Sequence, residues 1–201
     1  MYKPTPEENK REQIVEMLRD VLSDEYVCLV LKKLSIKENN ESKPTEVSYS
    51  FLESGKTRSV SKATGSGILD CIFSSLLEKY SDYKSLSTVK LVEFGVITDF
   101  KKINIDGTAA SITVSAKFKS EQQENYTEFR KSGNSIIMAL SKCAFSVVEY
   151  YLNCELAFRK LRYLIKEANS RGRSDVAQKY VSIISKIVNC NIASFEKVSS
   201  E

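Results

Sequence analysis

One pattern occurs twice in succession along this chain, and it restricts the folds open to it more than any other feature: three short apolar-alternating segments, a glycine turn, then a helical stripe. In the first copy, Val27 to Ile36 is rich in Val, Leu and Ile, and Val47, Tyr49 and Phe51 alternate with polar residues. Ser54 and Gly55 mark a turn, and Thr57 to Ala63 gives a third strand. The chain then turns at Gly65, Ser66 and Gly67, after which Ile68, Leu69, Ile72, Phe73, Leu76, Leu77 and Tyr80 recur at helical spacing. In the second copy, Leu86 to Ile97 reads as a strand, and Ala110 to Lys119 alternates almost without fault. Tyr126 to Lys131 supplies the third strand, and Gly133 and Asn134 the turn. Ile136, Ile137, Leu140, Ala144, Val147, Val148 and Tyr151 form the second helical stripe.

A strand with one apolar face needs a cover, and each copy carries its own helix for the purpose. The expected fold class is therefore α+β, with duplicated βββα units packing antiparallel sheet against helices and with extra N-terminal and C-terminal helices. The N-terminal helix opens at Thr5, Pro6, Glu7 and Glu8, a capping hydroxyl followed by proline and acids at the positive end of the dipole. Its stripe is Ile14, Met17, Leu18, Val21 and Leu22, about five turns in all. At the other end the helical pattern runs on through Leu156, Leu161 and Ile165, breaks at Arg171 to Arg173, and resumes from Ser174 to about Phe195. The expected division is an N-terminal helix over 1–25, a two-unit domain over 26–153 (26–82 and 83–153), and a helical extension over 154–201.

The composition excludes several kinds of chemistry. Histidine is absent, which removes Ser-His and Cys-His nucleophile pairs, histidine general bases and histidine metal ligands together. Asp and Glu nowhere converge on a spaced pair, so no catalytic residue, metal site or cofactor is expected. The five cysteines are scattered without a CxxC pair, which argues against a disulfide framework and for small buried hydrophobes in a reducing compartment. The 30 basic and 26 acidic residues are mixed along the chain rather than gathered in a stripe, so Lys32 and Lys33 read as solvated face. No apolar run reaches the roughly 18–20 residues of a membrane span, and MYKPTPEENKREQ has no hydrophobic signal core. The expectation is a cytoplasmic protein that does not engage a membrane.

Four short motifs, in order over residues 28 to 153, give the chain a resemblance. Gly65, Ser66, Gly67, Ile68, Leu69 and Asp70 form a glycine-x-glycine turn, an apolar pair and an acid. Leu91, Val92, Glu93, Phe94, Gly95 and Val96 form a leucine, acid, aromatic and valine string. Thr108 and Ala109 lead into the central strand, and Gly133 is followed by Ile136, Ile137 and Ala139. Together these resemble the regulatory domain of the 2-isopropylmalate synthase and citramalate synthase family, as a stand-alone chain without the catalytic barrel. Enzymes of that family carry their chemistry on a TIM barrel whose divalent metal is held by two histidines and an aspartate, which this chain lacks.

The resemblance implies a non-catalytic homodimer that binds leucine, isoleucine or a similar small metabolite in branched-chain amino-acid biosynthesis, and that acts on a separate catalytic synthase chain. It implies effector contacts at Gly65, Ser66, Gly67, Leu69, Asp70, Leu91, Phe94, Thr98, Ala109, Ser111, Gly133, Asn134 and Ile136. The physical rationale at the turns is independent of family: glycine lets backbone approach a ligand, and a helix N-terminus offers free N–H groups to a carboxylate. Asp70 also reads simply as a favourable charge at the helix dipole, and Glu93 as a surface carboxylate. Ile68 stands where the family usually has proline, and Ser135 where aspartate is common. The alternative reading is accordingly a structural dimerisation or assembly module whose pocket has decayed. A third reading, a double-stranded-RNA-binding module, follows from the αβββα order of residues 6 to 81. It is disfavoured because GSGILDC offers no basic residue where phosphates would be held, and no nucleic-acid partner is expected.

Overall fold

Two matching pairs of residues carry the sequence repeat into the backbone. In the computed structural model, which describes residues 6–38, 44–98, 112–120 and 126–191, Leu31 pairs with Phe51 and Leu91 pairs with Phe118. In both places the register slips by one residue immediately afterwards. Lys32 and Val92 are thus the extra residues of two equivalent bulges. The bulges explain why neither strand alternates strictly. Leu29, Leu31, Leu34 and Ile36 share one face only because a residue is inserted after the second of them, and Val89, Leu91, Phe94 and Val96 repeat that spacing.

The elements in order are α1 (Pro6–Leu22), a short 3-10 turn (Ser23–Glu25), β1 (Leu29–Lys37), β2 (Thr45–Glu53), β3 (Lys56–Gly65), α2 (Ile68–Lys79) and α3 (Lys84–Ser87). Then follow β4 (Val89–Thr98), β5 (Ile112–Ser120), β6 (Thr127–Gly133), α4 (Ile136–Ser170) and α5 (Ser174–Asn191). The strands form two antiparallel three-stranded sheets, β1-β2-β3 and β4-β5-β6, so the fold is α+β with one meander per repeat. Glu53 and Lys56 close the β2–β3 hairpin around Ser54 and Gly55, both at positive φ (47° and 85°), the two-residue turn whose twist matches paired strands.

The two repeats share one core. Phe145 of α4 meets Tyr49 and Phe51 of β2 edge-on, at ring-centroid distances of 5.7 and 5.3 Å, while Phe73 of α2 lies 5.1 Å from Phe118 of β5. Each helix therefore sends an aromatic ring onto the other repeat's sheet. Phe51 and Phe118 are fully buried, and each such side chain contributes roughly 1.5–3 kcal/mol by leaving water. Tyr49 also keeps its hydroxyl satisfied, 2.7 Å from Ser75 Oγ on α2.

The long α4 is the axis of the molecule. It packs on β1, β5, β6, α1, α2, α3 and α5, and its middle turns, from Tyr150 to Glu155, are buried all round. Two of those buried residues are polar and fully employed. Asn153 brackets the backbone of Val27, accepting from its N–H and donating to its C=O, both at 2.8 Å. Glu155 accepts from Ser85 N at 2.8 Å, from Ser85 Oγ at 2.6 Å and from Arg159.

Several sequence expectations change in detail. Leu86 does not begin a strand: Glu155 takes the N–H of Ser85, residues 84–87 make a helical turn, and β4 starts at Val89. The expected boundary at residue 153 falls inside the continuous α4. The cysteines are not uniformly buried, for Cys28 is exposed at the approach to β1 whereas Cys71, Cys143 and Cys154 are buried. All four are free thiols. Among the described residues no helix is long and apolar enough to cross a membrane.

Candidate regulatory surface

The two glycine turns are built alike. The first helical hydrogen bond runs from Cys71 N to Gly67 O (2.9 Å) in one repeat and from Ala139 N to Ser135 O (3.0 Å) in the other. Both strand ends sit in one register, since Thr45 pairs with Gly65 and Ile112 with Gly133. A Cβ on Gly65 would lie 2.6 Å from Asp70 Oδ2 and 3.1 Å from Cys71 N, and one on Gly133 would lie 3.4 Å from Ala139 N. At Gly65 the strand passes so close over the new helix that a side chain has no room, whereas at Gly133 a methyl group would make ordinary contact.

What fills the two turns differs. The carboxylate of Asp70 accepts from Ser66 N (2.9 Å), Ser66 Oγ (3.1 Å) and Ser74 Oγ (3.1 Å). The backbone N–H of Ser66 holds it below the usual aspartate range, against a smaller opposing effect of burial. Asp70 therefore supplies from within the chain the negative charge that a helix N-terminus attracts. Met138 occupies the matching place in the second turn, so no acid is present there. Instead a shallow cavity of about 350 Å³ opens, lined by Ser132, Gly133, Asn134, Ser135, Met138 and Lys142. Lys142 Nζ donates to Ser132 O at 3.4 Å, leaving a cation at the rim.

The residues singled out from the sequence are divided by the fold. Thr98 pairs with Ile112 and Ile112 with Gly133, so Thr98, Gly133, Asn134 and Ile136 collect at one end of the second sheet. Leu91 lies at the far end of that sheet beside Phe118, and Phe94 stands midway, opposite Ala116. Gly65, Ser66, Gly67 and Asp70 occupy the equivalent end of the first sheet and do not line the second-turn cavity, while Leu69 is buried in the core. Ala109 and Ser111 lie outside the described residues.

The strongest departure from the internal symmetry is in β4. The inward residues of β1, namely Leu31, Leu34 and Ile36, are half-buried against the core. Their counterparts Leu91, Phe94 and Val96 point to the same side as the buried Phe118, Ala116 and Val114, yet they are 37%, 54% and 42% exposed. The reason lies in the packing of the helices: α4 packs on β1, β5 and β6, but among the described residues no helix lies along β4. The opposite face departs as well. Where β1 carries Lys32, Lys33 and Lys37, β4 carries Val92, Glu93 and Ile97, with Val92 and Ile97 exposed. Glu93 pairs with Lys117 across the outer face at 2.9 Å, the surface role expected of it.

A second cavity, about 310 Å³, lies between α1, β6 and α4. Of its residues only Lys131 stands out in the sequence, placed where the alternation of β6 requires an apolar side chain. Among the described residues no cluster of His, Cys, Asp or Glu is placed to hold a metal ion. In comparison with known proteins, no protein-family model and no curated protein matches this chain.

Proposed function

We propose that this chain is a non-catalytic regulatory domain that works as a homodimer through β4 and takes a small metabolite at its second glycine turn. The observation that carries the reading is the contrast between β1 and β4. An edge strand in water is normally guarded by charge, often lysine, and the three lysines of β1 fit that rule. β4 has the same backbone but gives up two of the three charges and leaves its inward face bare.

With Ile136, Ile137 and Met138, also exposed at the start of α4, the apolar surface is on the order of 600 Å² per protomer. Paired about a two-fold axis, two copies reach about 1,200 Å², the lower bound of a standard interface. The open second turn, with Lys142 and free helix N–H groups but no acid, suits a ligand carboxylate, and the exposed Ile136 supplies an apolar neighbour. A branched-chain amino acid fits that description, and a synthase of branched-chain amino-acid biosynthesis is the natural target of such a sensor.

Light scattering and sedimentation test the interface. The expected outcome is a dimer that Phe94→Glu, or Val92→Lys with Ile97→Lys, converts to a folded monomer. A wild-type chain that stays monomeric at high micromolar concentration sinks the reading. Calorimetry with leucine and isoleucine tests the pocket. Ligand at ten times its dissociation constant adds about 1.4 kcal/mol of stability, and Lys142→Ala weakens the effect. A dimer that binds neither favours the assembly-module reading, to which the self-filled first turn at Asp70 already lends support.

A further inference from the structure

We infer that the cavity between α1, β6 and α4 is a binding site for a small organic carboxylate with an apolar or aromatic body, held by Lys131 and Arg11. Lys131 pairs with Val114, a fully buried residue, so its side chain leaves the covered face of the second sheet rather than the solvent face. The matching position in the first repeat, opposite Val47, is Ala63, which is buried. The repeat thus places a lysine where its own pattern has a small core residue, and a cavity of about 310 Å³ opens above it.

A half-buried cation normally has a counter-ion, because desolvation without one is costly. Lys131 has none: among the described residues no carboxylate lies within ion-pair distance of it. Glu149, the acid of α4 that faces the cavity, is already spent on Tyr26 OH (3.1 Å) and Leu29 N (2.8 Å). The neighbour of Lys131 is a second cation, Arg11, whose guanidinium lies 4.8 Å over the Phe129 ring and donates to Glu128 O. Burial first, and Arg11 next, hold the lysine below its usual range, outweighing the opposing pull of Glu149 and Glu12.

The remaining lining selects the ligand. Val15 and Tyr26, both half-buried, offer apolar and aromatic wall, whereas Glu12 and Glu16 on α1 bring negative charge to the same cavity. A polyphosphate would meet those acids; a single carboxylate on an apolar body meets the cation pair with its charge and Val15 and Tyr26 with its body. This site is separate from β4 and from the second glycine turn, and it stands whether or not the chain dimerises.

The test uses the full chain with benzoate, phenylacetate and hexanoate as probes, benzamide as the neutral isostere and inorganic phosphate as the competing anion. Binding is read by thermal shift and calorimetry. The expected result is millimolar or tighter binding of at least one carboxylate, none of benzamide, and at least a tenfold loss in both Lys131→Met and Arg11→Gln. Lys131→Met should also melt at or above the wild-type temperature, because it removes an unpaired cation from the covered face. Failure of all three carboxylates, preference for phosphate, or unchanged binding in the variants overturns the assignment. Should Lys131→Met prove unfolded, the lysine is structural and the assignment likewise falls unless Arg11→Gln, folded, abolishes binding.

Discussion

The side-chain amide of Asn153 acts as a backbone partner for Val27. Its Oδ1 takes the N–H of Val27 and its Nδ2 gives to the C=O, both at 2.8 Å, while Nδ2 also reaches Glu149 O one turn back on α4 at 2.8 Å. One turn away, Glu149 takes the N–H of Leu29. Together the two residues dock the approach to β1 onto the long helix before the first sheet pairing begins. The approach to β4 is held on the same helix through Glu155, which takes the N–H and the hydroxyl of Ser85.

Asn153→Ala should destabilise the chain by about 2–4 kcal/mol, since it strands two backbone groups beside a fully buried position. Urea unfolding followed by circular dichroism measures this. A loss below 1 kcal/mol would show that water replaces the amide freely.

The three glycines of the turns should respond in a fixed order. Gly65→Ala is the worst, because its Cβ meets both the held Asp70 carboxylate and the Cys71 backbone. Gly133→Ala is milder, with its nearest neighbour at 3.4 Å, and Gly67→Ala is close to neutral, with open space around it and an extended backbone (φ −178°). Unfolding midpoints of the three variants rank them; equal effects would contradict the close-approach argument.

Acid should weaken the first turn through Asp70. Its folded value lies below the unfolded one of about 3.9. The stabilisation is therefore complete above the unfolded value and is lost as pH falls through the folded value. Asp70→Asn should flatten the acid limb of the stability profile below the unfolded value of about 3.9 while leaving its neutral shape alone. Denaturant titrations at a series of pH values decide the point.

Thiol labelling separates the cysteines. Cys28 is exposed and should react in the native protein, more slowly than a free cysteine because partial burial and the Glu149 carboxylate raise its pKa. Cys71, Cys143 and Cys154 should react only on unfolding, and burial pushes the Cys143 thiol up to about 12. Peptide mapping after brief alkylation reads all four at once.

The repeat itself was open to sequence reasoning because it is written in local periodicity. The alternation of Val47, Tyr49 and Phe51 and the spacing from Ile136 to Tyr151 are set by which side of one element is apolar, and that needs no knowledge of neighbours. The bulges at Lys32 and Val92 hid the face assignment of β1 and β4, since an inserted residue breaks the period that would reveal it. Asp70 was legible as a helix-start charge, but not as the group that fills its own turn, because Ser66 and Ser74 come to it only after strand and helix meet.

By itself the sequence determined the order of elements, the duplicated plan and the absence of histidine chemistry, all properties of single segments or of composition. Tertiary structure alone decided that α4 would cover β1 and not β4, and that Lys131 would be caught on the covered face with Arg11 beside it. The physical reason is that apolar patterning specifies a face that seeks cover, whereas the identity of the cover depends on contacts between residues more than a hundred positions apart, such as Val27 with Asn153. Burial, and with it the exposed face and the unpaired charge, is a property of that assembly and not of any one segment.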